Sequence, residues 1–413
     1  MKNNIPQGYK ATALGIIPQE WEVMRLGDIV SITSGESPSL YHLKAEGKYP
    51  YVKVEDLNNC EKYQESSREY SDDNNTTIKA GSIIFPKRGA SILNNKVRIA
   101  AKDIQMDSNM MAITPHTAIV DTEFLYIRIL HERLYRIADT SSIPQINNKH
   151  IIPYKIAVPP LAEQRKIAEV LGVWDEAIEK QARLIEKLAL RKRALMQRLL
   201  SAKLRLPGFS EPWQKVKLGD IGDTYNGLSG KNKDDFEYGN AQFIPYINVF
   251  SNERIDTNNL GCVQIKPNEQ QNTVKYGDIF FTVSSETPDE VGMASVLLEH
   301  LDNTYLNSFC FGYRLNNFST LNPFFAAYLF RTEHFRNYMS VLAQGSTRFN
   351  ISKKEVMKLK IDLPTIEEQT AIAEVLTAAD REIELAKEKL ERLRRQKRGL
   401  MQQLLTGKRR IKY

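Results

Sequence analysis

Residues 81–98 concentrate side chains suited to gripping a polynucleotide: Lys87, Arg88, Ser91, Asn94, Asn95, Lys96 and Arg98, in a stretch whose Gly, Pro and Asn mark a hairpin. A second cluster follows at Gln145, Asn147, Asn148 and Lys149, and Lys53 lies just beyond a strand-like run. Amides and guanidinium groups at loop tips match the donors and acceptors of base edges, while ammonium groups match phosphates. Asn, Ser and Lys also populate ordinary solvated turns. These residues are therefore candidates whose worth depends on what brings them together.

Catalytic chemistry has no comparable residues to stand on. An adenine methyltransferase needs a glycine-rich cofactor loop and an N-P-P-Y-like or D-P-P-Y-like grip on a flipped base. The nearest stretch, V-P-P-L at 158–161, lacks the amide or acid. A nucleotide-driven motor needs G-x-x-x-x-G-K-[ST], and T-G-K-R-R at 406–410 fails that spacing. Pro288-Asp289 has no following acid-x-lysine within its half, and the 6 histidines form no H-E-x-x-H. Cys60, Cys262 and Cys310 stand far apart without a C-x-x-C, which predicts buried thiols rather than zinc ligands or a disulfide. The expectation is a chain that is not an enzyme and binds no metal or cofactor of its own.

What must position the candidates is a repeat. W-E-V-M-R-L-G-D-I at 21–29 returns as W-Q-K-V-K-L-G-D-I at 213–221, and Gly35 matches Gly227. K-A-G-S-I-I-F at 79–85 returns as K-Y-G-D-I-F-F at 275–281. P-P-L-A-E-Q-R-K-I-A-E-V-L at 159–171 returns as P-T-I-E-E-Q-T-A-I-A-E-V-L at 364–376. A tandem duplication also suits 413 residues, more than one hydrophobic core usually organises. The repeat carries the hairpin candidates to Ser284, Ser285, Glu286 and Thr287, and the later cluster to Arg348, Asn350 and Lys353. Asn248 follows the strand matched to the one before Lys53.

Each half reads as a mixed α/β head followed by a long helix, an α+β class overall. Strand-like runs lie at 51–54, 82–85, 244–249 and 278–283, and amphipathic helical segments at 124–137 and 323–338. The expected division is an N-terminal arm at 1–18, a first head at 19–158, a helix at 159–206, a second head at 207–363 and a second helix at 364–413.

In the first helix Ile167, Leu171, Trp174, Ile178, Gln181, Ile185, Leu188, Lys192, Leu195 and Leu199 alternate steps of four and three. Ile372, Leu376, Ala379, Ile383, Ala386, Leu390, Leu393, Lys397, Leu400 and Leu404 do the same in the second. That spacing is a coiled-coil seam. A parallel pair would set Lys192 against Lys397; an antiparallel pair faces Lys192 with Ala379 and Lys397 with Trp174, where the ammonium can lie on the indole. Antiparallel pairing is therefore expected, along about 40 residues, roughly 60 Å of helix, with a head at each end. Thr365 and Glu368 are placed to form a capping box at the start of the second helix.

A hydrophobic fraction of 42%, with 18 Tyr and 16 Phe, supplies packed cores, and a net charge of +7 permits a polyanionic partner without requiring one. No apolar run suits a membrane span, and the first ten residues lack a secretory core, so a cytoplasmic protein is expected. On residues alone, a coiled-coil scaffold with protein-binding heads remains an alternative to a DNA reader.

The arrangement resembles the specificity subunit of type I restriction-modification systems. The resemblance rests on the W-x(4)-L-G-D-I openings, Y-P-Y-V-K-V-E-D-L at 49–57, G-S-I-I-F-P-K-R-G-A at 81–90, and helices opening with P-L-A-E-Q at 160–164 and I-E-E-Q at 366–369, the latter lacking the leading Pro-Leu. It covers nearly the whole chain. The resemblance implies two target-recognition heads on double-stranded DNA, one for each part of a split target, and an antiparallel helical spacer. It further implies docking of two methyltransferase subunits and of restriction/translocase subunits. S-adenosylmethionine and ATP would then belong to those partners.

Overall fold

The computed structural model describes residues 5–139, 143–236 and 238–411. They divide into two compact units, residues 1–182 with 388–413 and residues 183–387.

In the first unit a five-stranded sheet runs in the order Val30–Ser34, Met110–Pro115, Ile83–Pro86, Arg98–Ala100, Tyr63–Gln64. The first four strands are antiparallel neighbours, with Ile113 opposite both Ile32 and Ile83. Both faces are buried, so strand alternation serves two cores instead of one core and solvent. Ile83, Phe85, Met111 and Ile113 join the larger core with Phe124, Ile127 and the start of the long helix. Ile84, Met110 and Ala112 face a smaller core with Val52, Ile78 and Ile104.

The second unit repeats the plan. Its four-stranded sheet runs Gly222–Asn226, Cys310–Leu315, Ile279–Thr282, Ala294–Val296. Ile279 and Phe281 enter the larger core, and Phe280 and Cys310 the smaller. In both units the first strand of the head pairs with the strand just before the long helix: Glu22–Arg25 with Lys155–Val158, and Gln214–Lys217 with Lys360–Leu363.

Several local readings shift. The run at 244–249 is not a strand: Ala241–Ile244 ends at Pro245, which caps the helix Tyr246–Ser251. The segment at 124–137 breaks at Arg133, whose φ is 63°, into Thr122–Glu132 and Leu134–Ile137. The segment at 323–338 breaks likewise, because the Thr332 side chain accepts from the Phe335 N–H and starts a new helix. Cys310 is buried as expected, but Cys262 is exposed on a sheet-edge strand.

The long helices span Leu161–Leu199 and Ile366–Leu405. Every residue of both seams is buried or half-buried, and the helices pack together antiparallel. The lysines in the seams lie where the antiparallel register puts them, but each finds a carboxylate one residue from its expected neighbour. Lys397 pairs with Asp175 in place of the Trp174 indole. Lys192 sits 2.7 Å from both Asp380 and Glu253, and its ammonium lies 5.3 Å from the centre of the Tyr328 ring. An adjacent full charge outcompetes a ring quadrupole.

The E-Q pair that opens each helix is a structural lock. Glu163 and Gln164 are wholly buried, as are Glu368 and Gln369 to within 1%. Glu163 accepts from the Trp21 indole at 2.9 Å and from Arg410 at 2.7 and 3.0 Å, so the residues following the second helix clasp the start of the first. Glu368 is held by Arg205 at 2.6 and 2.7 Å in the same manner. Its carboxylate is therefore unavailable for the expected capping box, of which only the Glu368 N–H to Thr365 Oγ1 bond at 3.4 Å forms. Gln164 accepts from the Asp121 N–H and donates to the carbonyls of Ile119 and Pro159; Gln369 does the same with Asn322, Thr320 and Pro364. The repeat is inexact at the indoles, since the buried N–H of Trp213 finds no partner among the described residues.

Candidate nucleic-acid interface

Strand Ile83–Pro86 runs straight into Lys87, and there the two candidate clusters of the first head meet. The Ile146 N–H donates to the Lys87 carbonyl at 2.8 Å, and the Gly89 N–H to the Pro144 carbonyl at 2.8 Å. Arg88 thereby lies opposite Gln145, which exchanges two 2.9 Å backbone bonds with Asp139. The second head has the same construction. The Ile351 N–H donates to the Val283 carbonyl at 3.0 Å, Ser284 lies opposite Asn350, and Asn350 is bridged to Gln344.

Side chains at this rim fall into two groups. In the first head Arg88, Asn94, Asn147, Asn148 and Lys149 are exposed, with Ser91 and Gln145 half-buried beside them. Lys87 is half-buried; burial, and then the adjacent Arg88, hold its ammonium below the usual lysine range against a weaker opposing pull from the Asp107 carboxylate. In the second head Glu286, Thr287, Arg348 and Asn350 are exposed and Ser284 half-buried. Lys353 is half-buried 5.7 Å from the centre of the Phe311 ring, bonded to Asn226, and burial lowers its pKa too.

The other candidates are spent on the fold. Arg98 gives its guanidinium to the carbonyls of Leu57, Val97 and Cys60, each at 2.8 Å. Asn95 bridges the Leu130 carbonyl and the Leu134 N–H. Lys96 donates to Asn58 at 2.6 Å, and Lys53 pairs with Glu69. Asn248 is buried in a helix, where its amide satisfies Asp256, Asn259 and Asn252, so it has no edge left for a base. The Ser285 hydroxyl is buried against Glu290.

Two exposed rim residues escape the sequence reading, Asn109 and Phe309. The Lys87 N–H donates to the Asn109 carbonyl at 2.8 Å, and the Val283 N–H to the Phe309 carbonyl at 2.9 Å. Asp107 accepts from the Asn109 N–H and Asn307 from the Phe309 N–H, giving both turns the same internal bond. A Cβ on Gly35 would lie 2.0 Å from the Asp107 carbonyl oxygen, and one on Gly227 2.1 Å from that of Asn307. The matched glycines, with D-S-N at 107–109 against N-S-F at 307–309, are the signal that marks these turns.

Among the described residues no group of three or more His, Cys, Asp or Glu is placed to hold a metal ion, and no helix is long and apolar enough to cross a membrane. Two copies of one α+β head, each presenting a loop rim and each followed by a long helix, define a duplicated module. Residues 18–189 and 210–395 each match the family model described as the type I restriction modification DNA specificity domain, and the chain belongs to that family. It is 26% identical to the type I restriction enzyme MjaVIII specificity subunit of Methanocaldococcus jannaschii over 96% of this chain and 94% of that one. Its fold is shared with the type I restriction-modification S subunit from M. genitalium at 18% identity, TM-score 0.54, over 98% and 97% of the two chains. A chain from a structural study of type I R-M complex assembly gives 20% identity and TM-score 0.65 over 95% and 99%.

Proposed function

We propose that this specificity subunit reads a two-part target on double-stranded DNA, one half-site per head, and performs no chemistry itself. It directs two methyltransferase subunits, and restriction/translocase subunits, to the site so defined. The observation that carries this reading is the rim. One backbone construction recurs in both heads with different side chains on it, which is what two unlike half-sites require of a duplicated reader. The partly desolvated Lys87 and Lys353 support phosphate contact, because a nearby phosphate offsets the cost of holding each ammonium away from water.

The test is methylation in reconstituted mixtures. The chain alone, given S-adenosylmethionine, should methylate nothing and bind random duplex weakly; with its methyltransferase subunit it should direct adenine methylation to a split sequence. Exchanging residues 19–158 for the head of a related subunit should change one part of that sequence and leave the other. Methylation by the purified chain alone, or a simultaneous change in both parts, overturns the reading.

A further inference from the structure

We propose that 109 and 309 are equivalent base-reading positions of the two heads, and that Phe309 reads the C5-methyl group of a thymine where Asn109 presents an amide. This rests on the reading of the rim as the DNA-facing edge. The equivalence is structural: both residues accept, through their carbonyls, the N–H of the residue leading into the rim, and both are fixed by an Asx-type bond two residues back. Both are exposed, Phe309 by 57%, and neither side chain has a hydrogen-bond or ring partner among the described residues.

A lone exposed phenylalanine is ordinary on a protein surface. This one stands on a turn made rigid by three constraints: the Val283 bond, the Asn307 cap and the close backbone contact at Gly227. An apolar group on a turn so fixed, bonded to Val283 next to Ser284 and its strand partner Asn350, loses little further freedom on contact. In the major groove the thymine methyl is the apolar feature that separates T·A from the other pairs, whereas an amide such as Asn109 pairs with the N6 and N7 of adenine. The substitution of one chemistry by the other at a matched position gives the two heads different half-sites without altering their folds.

The experiment uses the chain in complex with its methyltransferase subunit, with the target first mapped by methylation sequencing. Duplexes carrying deoxyuridine in place of each target thymine, one at a time, are then compared in binding. One position in the second head's half-site should bind roughly four-fold more weakly, the contribution of one buried methyl group. Phe309→Ala should abolish that difference, and Asn109→Ala should leave it intact. The inference is overturned if no thymine there is sensitive to loss of its methyl, or if Phe309→Ala keeps the sensitivity. Arg88→Ala and Arg348→Ala tell the two levels apart. If they relax the target while Phe309→Ala is silent, this inference alone fails; if they too leave target and affinity unchanged, the reading of the rim fails.

Discussion

Lys87 carries a charge that the free protein holds at a cost, and this fixes the sign of two pH dependences. Its lowered pKa means that the folded, unbound protein binds fewer protons than the unfolded chain at pH values just below the ordinary lysine value of about 10.4. Fold stability therefore gains from this residue as pH rises through that window. A phosphate contact needs the protonated form, so DNA affinity falls over the same window. Burial raises the pKa of several tyrosines, Tyr51 and Tyr126 among them, and pulls total stability the other way, so the test is the difference between wild type and Lys87→Met. That difference should rise with pH for stability and fall for DNA affinity, and an affinity profile unchanged by Lys87→Met would remove Lys87 from the interface. Gly227 offers a steric test. The Cβ of Gly227→Ala would strike the Asn307 carbonyl, so roughly 1–3 kcal/mol of stability should be lost, with disturbance of the second half-site only. Denaturant unfolding and target mapping read the two effects. At this scale the sequence was a partial guide. Arg98, Asn95 and Asn248 were visible as polar residues in the right segments, but their partners are mostly backbone groups, for Arg98 and Asn95 chiefly from distant segments, and no local pattern records where a guanidinium or amide will be spent.

The long helices were the most legible elements, because a seam of ten residues overdetermines its own face and the one lysine in each seam disfavours the parallel pair. Their opening E-Q was legible only as a motif. Its physics is burial: Glu163 with Arg410 and Trp21, Glu368 with Arg205. Glu163→Leu should cost about 3 kcal/mol, since Arg410 and the Trp21 N–H lose their acceptor, whereas Glu163→Gln keeps the shape and costs less. Hydrogen exchange should rise around Trp21 and 404–410 for that variant, and around 205–213 for Glu368→Leu. Equal protection in both variants would mean the carboxylates are not what clasps the helix ends. The opposite sign is expected for Gly172→Ala and Gly399→Ala. A Cβ at either helical glycine meets nothing within 4 Å, so each should stabilise by about 1 kcal/mol in thermal unfolding. The heads were harder to read because short strands buried on both faces lose their polar alternation, and the hydrophobic run around Pro245 passed for a strand until the proline ended one.

For the whole molecule the question is whether the paired helices measure the gap in the target. The seam makes seven residues the unit by which they can be lengthened without turning a side chain out of the interface. Insertions after Leu188 and after Leu393 preserve the pairing on both sides, Lys397 with Asp175 and Lys192 with Asp380, because each helix grows by the same heptad. Each gains about 10 Å at 1.5 Å per residue. At about 3.4 Å per base pair that is roughly three base pairs of added spacer, accompanied by about a third of a turn that DNA twisting or bending must absorb. Total methylation should therefore drop. What survives, mapped across a library of random spacers, should retain both original half-site sequences with a longer gap between them. An unchanged gap would show that the helices do not set the distance, and altered half-sites would show that the heads do not read independently. A single insertion, in one helix alone, breaks the register that the half-buried lysine–aspartate pairs mark and should destabilise the chain instead of shifting its target.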